Sequence, residues 1–344
     1  MPHDYPMKEI AAQAGLSLAT VDRVLHGRDG VARTTERRVR QALRELARQS
    51  EEASLSGRKF MIDVVMEAPL RFTSLVGAAL EAEMPLLRPA AFRCRQHMAE
   101  ELQVGDLVAI LARIAKRGSN GVLLKAPDVP EIAEAITKLS EARIPVVTLV
   151  TDIPLSRRVA YVGIDNRSAG ETAAYLVGQL LDKKPAQILV TLSSSRFRGE
   201  EERETGFRRL LREAYPHLEP VEISEGFGRD RATGLQVGEA LAKYPGICGV
   251  YSIGGGNSAI ASAFHAARRV PFVFIGHDLD ADNRKLLREG VLHAVLHHDL
   301  RQDMRIACQH IMRANGALPR LSGMALSQVQ VVTPFNVPSG PDLP

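Results

Sequence analysis

"MKEIAAQAGLSLATVDRVLHGRDGVARTTERRVRQALREL", Met7 to Leu46, decides how the start of this 344-residue chain folds. In "KEIAAQAG", Ile10, Ala11 and Ala14 fall on one helical face. Gly15 then breaks the helix and supplies the conformation that a tight inter-helix turn needs. Ser17 is placed to cap the next helix. In that helix Val21, Val24 and Leu25 point inward at i, i+3, i+4 spacing, leaving Leu18, Ala19, Asp22 and Arg23 outward. A third helix repeats the spacing with Val39, Ala42, Leu43 and Leu46. Small alanines where helices cross, glycine at the turn and valines in the second helix are what a helix-turn-helix requires, because its two helices approach closely. The second helix would enter the major groove of DNA by its N-terminal end. A generic three-helix cap is the plainer alternative.

Charge favours the nucleic-acid reading. The whole chain carries a formal +4, which decides little. Between Arg23 and Arg48, however, arginines clearly outnumber acids, the footprint expected of phosphate contacts. A solvated helix face would look similar, so charge adds to the pattern and does not replace it. Hydrophobic residues make up 45% of the chain, enough for a core of ordinary size, and aromatic residues only 5%, so a ligand pocket must rely on a few Phe and Tyr. Cys94, Cys248 and Cys308 are far apart and fit no ligand spacing, which reads as buried thiols in a reducing cytosol. The N-terminus lacks an apolar signal core and no run reaches transmembrane length, so a cytoplasmic location away from any membrane is expected.

Beyond the headpiece, residues 1–48, comes "QSEEASLSGRK" (49–59), polar and small as a linker should be. From Phe60 short apolar runs alternate with amphipathic helices: "FMIDVVM" (60–66), "AFRCRQHM" (91–98), "GVLLKA" (121–126), "PVVTLV" (145–150), "VAYVGI" (159–164), "AQILVTL" (186–192), "PVEIS" (220–224), "CGVYSI" (248–253), "PFVFIG" (271–276) and "LHAVLHH" (292–298). Most are continuous rather than alternating, the mark of strands buried on both faces of parallel sheets. So many strands exceed one comfortable sheet, and an α/β core of two lobes is expected over 60–344. Lobe 1 is assigned to about 60–163 and 292–324, and lobe 2 to about 164–291 and 325–338. Ligands in such sheets bind outside the carboxyl ends of the strands, so two facing lobes enclose a cleft.

The Met7–Leu46 stretch resembles the headpiece of the lactose-repressor (LacI/GalR-type) family of bacterial regulators. Ala14, Gly15, Leu16, Ser17, Thr20, Val21, Arg23, Val24, Leu25, Val31, Thr35 and Val39 fit that pattern, and the remainder resembles the family's periplasmic-binding-protein-like core. The resemblance implies that Leu18, Ala19 and Arg23 face base edges, while Ser17, Thr20 and His26 approach phosphates or the groove wall. Arg23 is the one side chain here able to make a bidentate contact to guanine. Two departures stand out. The family usually has a neutral Ser where this chain has Asp22, which could pair with Arg23 or a neighbour, or accept from a cytosine amino group. The family's hinge usually carries Tyr, Pro and Asn; "ARQSEEASLSGRK" has none, and adds Glu51 and Glu52. Only Leu55 to Arg58 is similar to the segment whose leucine wedges into the minor groove. Leu55 is that wedge, or 49–59 is a plain flexible linker.

In the core the same resemblance implies a cleft lined by named residues. Asn166 follows the strand "YVGID" and points into the cleft. Arg203, four residues before Phe207, reaches a sugar, with a surface partnership to Glu200 or Glu204 as the alternative. Asp278 holds hydroxyls at the carboxyl end of "FIGHD". His298, rather than His297, stands where the family often has Gln or Asp. Thr151 and Asp152 sit at the mouth of the fourth strand, though Asp152 also suits a turn. Phe72 offers a stacking face. Phe227 or Arg229 fills a place the family usually gives an aromatic, and Asn257 stands in for an absent Asn-Asp in the glycine-rich "SIGGGNSAI". That glycine-rich turn alone is weak grounds for a nucleotide. No cofactor is implied, and the histidines show no metal-ligand spacing.

The expected function is a DNA-binding regulator, in repressor style, controlled by a small sugar, polyol or cyclitol between the lobes. A homodimer would present two headpieces to operator DNA. The Pro-rich tail has no leucine heptad to build tetramers. A sugar-binding protein without a DNA role is the alternative. An enzyme is not expected, because no nucleophile elbow, phosphate loop or dinucleotide fingerprint appears.

Overall fold

The computed structural model describes residues 5–319 and 326–338. Part of the expected return to lobe 2, the end of the Pro-rich tail and the first four residues lie outside that range.

Three helices form the headpiece: α1 (Met7–Ala14), α2 (Leu18–Leu25) and α3 (Arg33–Leu55). Gly15 ends α1 in the left-handed region at φ +60°, and Ser17 caps α2 by accepting the Thr20 N–H at 3.2 Å. Ile10, Ala11, Ala14, Val21, Val24, Leu25, Val39 and Ala42 form a separate buried cluster. Arg38 of α3 reaches back to the turn, donating to the carbonyls of Ala14 at 2.8 Å and Gly15 at 3.1 Å. That guanidinium satisfies carbonyls at the end of α1 that have no partner within the helix.

The connection differs from a linker. α3 runs unbroken through Arg48 to Leu55, so most of 49–59 is helix. The reason is composition: Arg33–Leu55 contains neither Gly nor Pro and is rich in Arg, Glu, Gln, Ala and Leu, which lose little on entering a helix. Gly57, at φ +75°, is the first residue to turn the chain. Only three residues separate α3 from the first strand of the core.

Lobe 1 is a parallel five-stranded sheet in the order β2-β1-β3-β4-β5: β1 (Lys59–Glu67), β2 (Ala91–Ala99), β3 (Gly121–Lys125), β4 (Val146–Leu149) and β5 (Ala160–Val162). Between them lie α4 (Leu70–Glu83), α5 (Val104–Arg117) and α6 (Pro130–Glu141). Lobe 2 has six strands in the order β11-β10-β9-β8-β6-β7: β6 (Ala186–Thr191), β7 (Leu218–Ile223), β8 (Ile247–Ser252), β9 (Val273–His277), β10 (Ala294–His297) and β11 (Gln330–Val332). Only β11 is antiparallel. Its helices are α7 (Asn166–Leu180), α8 (Arg198–Ala214), α9 (Asp230–Lys243), α10 (Asn257–Ala266) and α11 (Ala281–Arg288). The last helix, α12 (Leu300–Ala314), returns to lobe 1, where Leu300, Met304, Ala307, Cys308 and Ile311 join the core around β1.

The lobe boundary therefore needs one correction. The stretch from 292 was assigned to lobe 1, but β10 pairs with β9, and the chain crosses only after His297. Leu292, Ala294, Val295 and Leu296 are all buried in lobe 2. Of the three cysteines only Cys308 is fully buried; Cys94 and Cys248 are half-buried.

Candidate functional site

Two surfaces can carry function. The first is α2. Its N-terminal face presents Leu18, 52% exposed, with Ala19 and Arg23 also exposed and Thr20 half-buried. Arg23 has no side-chain partner among the described residues. Asp22 does not pair with it. Its carboxylate instead accepts from Arg28 at 2.8 Å and lies 2.9 Å from His26 Nδ1. It thus ties down the loop after α2 and leaves Arg23 unencumbered. Ser17 is occupied as the cap, with its hydroxyl 2.8 Å from that of Thr20.

Leu55 must be corrected. Far from being displayed, it is 6% exposed and belongs to the lobe 1 core with Phe60, Leu87 and Ala90. It lies on the buried side of the end of α3, and an apolar side chain there gains more from the lobe than from water.

The second surface is a cleft of about 790 Å3, including solvent at its mouth, between the carboxyl ends of the two sheets. Lobe 1 lines it with Glu67 at the end of β1, Arg71 and Phe72 at the start of α4, Lys125 at the end of β3, and Thr151. Lobe 2 contributes Ser193, Phe197, Glu200, Arg203, Phe227, His277, Asp278 and Asp280. Five of the residues expected from sequence line this space: Phe72, Thr151, Arg203, Phe227 and Asp278.

Arg203 is almost wholly buried, and its Nε donates to Asn166 Oδ1 at 2.8 Å. Asn166 also donates to Tyr161 Oη and the Val150 carbonyl. Asn166 therefore holds the arginine from behind and does not line the cleft. The guanidinium NH2 groups of Arg203 have no partner among the described residues, so its fork is open to a ligand. The support depends on close helix packing. A Cβ on Gly170 of α7 would meet the Arg203 carbonyl at 1.9 Å, and one on Gly206 of α8 would meet the Arg167 carbonyl at 2.2 Å.

His298 likewise stands behind Asp278. It is 1% exposed, its Nδ1 lies 2.5 Å from Asp303 Oδ2, and its Nε2 lies 3.7 Å from Asp278 Oδ1. Asn257 is also one layer back, donating to Asn283 at 2.7 Å. Two expected residues are elsewhere. Asp152 is locked into a two-point ion pair with Arg158 and accepts from Thr148 at 2.8 Å. Burial opposes its charge, but Arg158 and Thr148 hold its carboxyl below the usual range, so it serves the turn. Arg229 pairs with Glu101 at 2.9 Å across the cleft rim, and Phe227, not Arg229, supplies the lining.

Sequence reasoning missed Glu67, Arg71, Lys125, Glu200 and Asp280. Glu67 and Lys125 end continuous apolar strands, and the carboxyl-end rule applied to Asp278 would have found them. Lys125 donates to the Glu67 carbonyl at 2.8 Å and lies 3.7 Å from the Phe197 ring centre. Burial lowers its pKa to about 8, against the pull of Glu200 and Glu67. Burial pushes Glu67 up, with Arg196 at 2.7 Å opposing. Asp280 rises to about 6, mainly through burial, although the Asn283 N–H and Arg71 favour its charge. His277 is held neutral by burial. Glu67 Oε2 and Asp278 Oδ1, on opposite walls, are buried with no hydrogen-bond partner among the described residues. Such acceptors are costly unless a donor reaches them.

The lobes meet across this space. Arg196 bonds Glu67, Arg71 donates to the Gly228 carbonyl at 2.9 Å, Arg198 reaches Asp128 at 3.2 Å, and the Gly199 N–H donates to Thr151 Oγ1 at 2.9 Å. Three lining residues that are not glycine, Val150, Phe227 and Asp278, have φ between +53° and +65°. Each such conformation costs about 1–2 kcal/mol. Strain concentrated where the lobes meet is a mark of a site shaped for something other than stability. Among the described residues no cluster of His, Cys, Asp or Glu is arranged to hold a metal ion, and no helix is long and apolar enough to cross a membrane.

Comparisons with known proteins match two separate segments of the chain. Residues 6–48 match the bacterial regulatory proteins of the lacI family, and residues 91–316 match the periplasmic binding protein domain. No curated protein sequence matches the chain significantly. Among solved structures, a glucose-galactose binding protein from Geobacillus stearothermophilus is similar at TM-score 0.72 and 20% identity, covering 82% of this chain and 99% of that one. A solute binding protein from Burkholderia graminis in complex with D-arabinose matches at TM-score 0.73 and 18% identity, over 83% and 98%. A protein from Bacteroides fragilis described as a candidate LacI transcriptional regulator matches at 0.69 and 17%, over 81% and 98%. At these identities the structural likeness shows a shared fold.

Proposed function

The chain belongs to the lacI family of DNA-binding regulators built on a periplasmic-binding-protein core, and from that premise we propose that it is a homodimeric repressor-type regulator acting on DNA in the cytoplasm, its operator affinity set by a small neutral sugar, polyol or cyclitol bound between the lobes. Its role is binding, not catalysis. The observation that carries this reading is the open fork of Arg203, held by Asn166 in a cleft that also holds buried acceptors without donors. A planar guanidinium together with carboxylates from both walls suits adjacent hydroxyls. Proteins of the same fold whose descriptions mention glucose, galactose and D-arabinose support the ligand class.

Ligand and DNA become linked if each prefers one arrangement of the two lobes. A ligand that favours one lobe arrangement changes operator affinity by the same factor by which DNA changes ligand affinity. On the DNA side, Leu18 and Ala19 offer apolar contacts and Arg23 a guanine contact, with Ser17, Thr20 and His26 near the backbone.

The test is an electrophoretic shift with the DNA upstream of the protein's own gene, with and without pentoses, hexoses, polyols and inositols. A specific shift altered by one of these sugars or polyols is expected. Ligand-induced thermal stabilisation with no specific shift under any condition would support a sugar-binding protein without a DNA role instead.

A further inference from the structure

We propose that Arg71 is a specificity-determining residue: a lobe 1 side chain that crosses the mouth of the cleft into a glycine-walled slot of lobe 2, and so limits the ligand to a single monosaccharide-sized unit. The proposal rests on the sugar-binding reading above and deepens it.

Three observations carry it. The first is the reach of the side chain. Arg71 stands in the first turn of α4, yet its Nη2 donates to the Gly228 carbonyl at 2.9 Å and its Nε lies 3.4 Å from Asp280 Oδ2. Those partners belong to two separate loops of lobe 2, one after β7 and one after β9. One planar guanidinium serves both because its donors point in fixed, different directions.

The second is the shape of what receives it. A Cβ on Gly255 would come within 2.3 Å of Arg71 Nη2, and one on Gly228 within 3.0 Å. Both glycines lie in the left-handed region, at φ +84° and +62°, where a side chain is strained as well as obstructive. Gly254 beside them packs so closely on Ser193 that a Cβ there would meet its backbone nitrogen at 1.9 Å, so the turn has little room to retreat. Asp280, 6% exposed, forms the charged floor and accepts the Asn283 N–H at 2.8 Å. The glycine-rich "SIGGGNSAI" turn, weak grounds for a nucleotide, thus has a use within this chain: an arginine of the opposite lobe lies against its bare backbone.

The third is position. The crossings between the lobes gather beside β5, where Ile164 bridges to Ser327 and the Ser327 hydroxyl bonds Asp303. In the order β2-β1-β3-β4-β5, the loops after β1 and β2 lie farthest from them. Lobes hinged at β5 part most widely there. Arg71 and the Glu101–Arg229 pair therefore join the lobes on the side where a ligand enters, and of these Arg71 is the one that also lines the cleft. The remaining strand-end loops are tied as well, Asp128 after β3 to Arg198 and Thr151 after β4 to the Gly199 N–H. A second unit attached to a sugar on Arg203 must displace one of these bridges.

The experiment uses the full chain and pairs of compounds, each a single unit and the same unit carrying a second: D-glucose and maltose, D-galactose and melibiose, D-arabinose and arabinobiose, sorbitol and maltitol, myo-inositol and galactinol. Calorimetry gives affinities and stopped-flow mixing gives release rates. The wild type should bind at least one single unit and prefer it to its two-unit partner by about a hundredfold or more. Arg71→Ala should bring that preference below about tenfold and speed release of the single unit by about tenfold. Gly255→Ala should do the same, because its Cβ displaces the guanidinium, and the double variant should go no further than either alone. Arg71→Ala asks for no change of backbone, so it decides the matter should Gly255→Ala fail to fold. Equal binding of both members of a pair by the wild type would overturn the proposal. So would an unchanged preference and release rate in Arg71→Ala, or additive effects in the double variant. The sugar-binding reading survives each of those results. Failure of every compound to bind the wild type would instead overturn that reading, and this proposal with it.

Discussion

The headpiece and the cleft both depend on helices that cross closely, but they show their functional side chains in opposite ways. In the headpiece Ala11, Ala14 and Gly15 let α1 and α2 meet within a few residues of each other, and Leu18, Ala19 and Arg23 simply face outward. In the cleft Gly170 and Gly206 let α7 and α8 meet, and Arg203 is useful only because Asn166 on the facing helix holds it. The proposed DNA surface is what remains exposed after local packing. The proposed ligand surface is built by braces: Asn166 behind Arg203, and Asp303 behind His298 behind Asp278. Damage to a brace should therefore cost the cleft far more than a similar change costs the headpiece.

The largest expected effect follows from Gly170→Ala. Its Cβ would overlap the Arg203 backbone, which cannot rotate away, so α7 and α8 must separate. We expect a loss of about 3 kcal/mol or more, measured by urea denaturation, with lobe 2 opening first. A loss under about 1 kcal/mol would show that the helix pair yields easily and that the cleft is less tightly braced than the comparison holds.

Next is Arg203→Ala. Removing a buried, hydrogen-bonded charge leaves Asn166 without its partner and the ligand without the fork. Affinity for whichever sugar or polyol stabilises the wild type should fall by about 2–5 kcal/mol, read by calorimetry, while operator affinity without ligand changes little. Undiminished ligand binding would remove Arg203 from the site.

Asp280→Asn tests the strain in the cleft through pH. The folded pKa of Asp280, about 6, lies above its ordinary value of 3.8. The native state therefore holds this proton more tightly than the unfolded chain. Its contribution to stability is greatest at low pH and is lost as pH rises from about 4 through about 6, on the order of 3 kcal/mol. The Asn variant keeps an oxygen for the Asn283 N–H and should lack this part of the pH dependence. Identical pH profiles for the two proteins would mean that Asp280 is better solvated than its burial indicates.

The smallest effect belongs to the headpiece. Asp22→Ser frees Arg28 and takes one negative charge from the phosphate field. Operator affinity should rise by a few fold, with the slope of log K against log salt steeper by up to about one. Weaker binding would mean that Asp22, through Arg28 and His26, orders the loop after α2 for DNA, and that the headpiece too depends on braces.

How much could be read in advance follows the same division. The headpiece was legible because its pattern is local: glycine, cap and valines fall within eleven residues, Gly15 to Leu25. The two-lobed core was legible from its continuous apolar strands. Arg203 and Asp278 were reached through the family resemblance, and Glu67 and Lys125 were within reach of the strand-end rule. Leu55 and the crossing at 292 were misread, and Asp152 and Arg229, each left with an alternative, fell outside the cleft, because each was decided by a partner that local pattern does not show. Leu55 found the lobe 1 core, Asp152 found Arg158, Arg229 found Glu101, and β10 found β9.

The sequence by itself determined the three-helix headpiece, the parallel strands, the two lobes and the kind of chemistry at strand ends, because periodicity and turn residues act over a few residues. Only the tertiary structure decided which polar groups face the cleft, which merely support them, and that the headpiece helix continues into the core. A side chain takes its role from whatever it packs or bonds against, and here those partners lie outside the reach of local pattern: Asn166 holds Arg203, Arg196 neutralises Glu67, and the lobe 1 core buries Leu55.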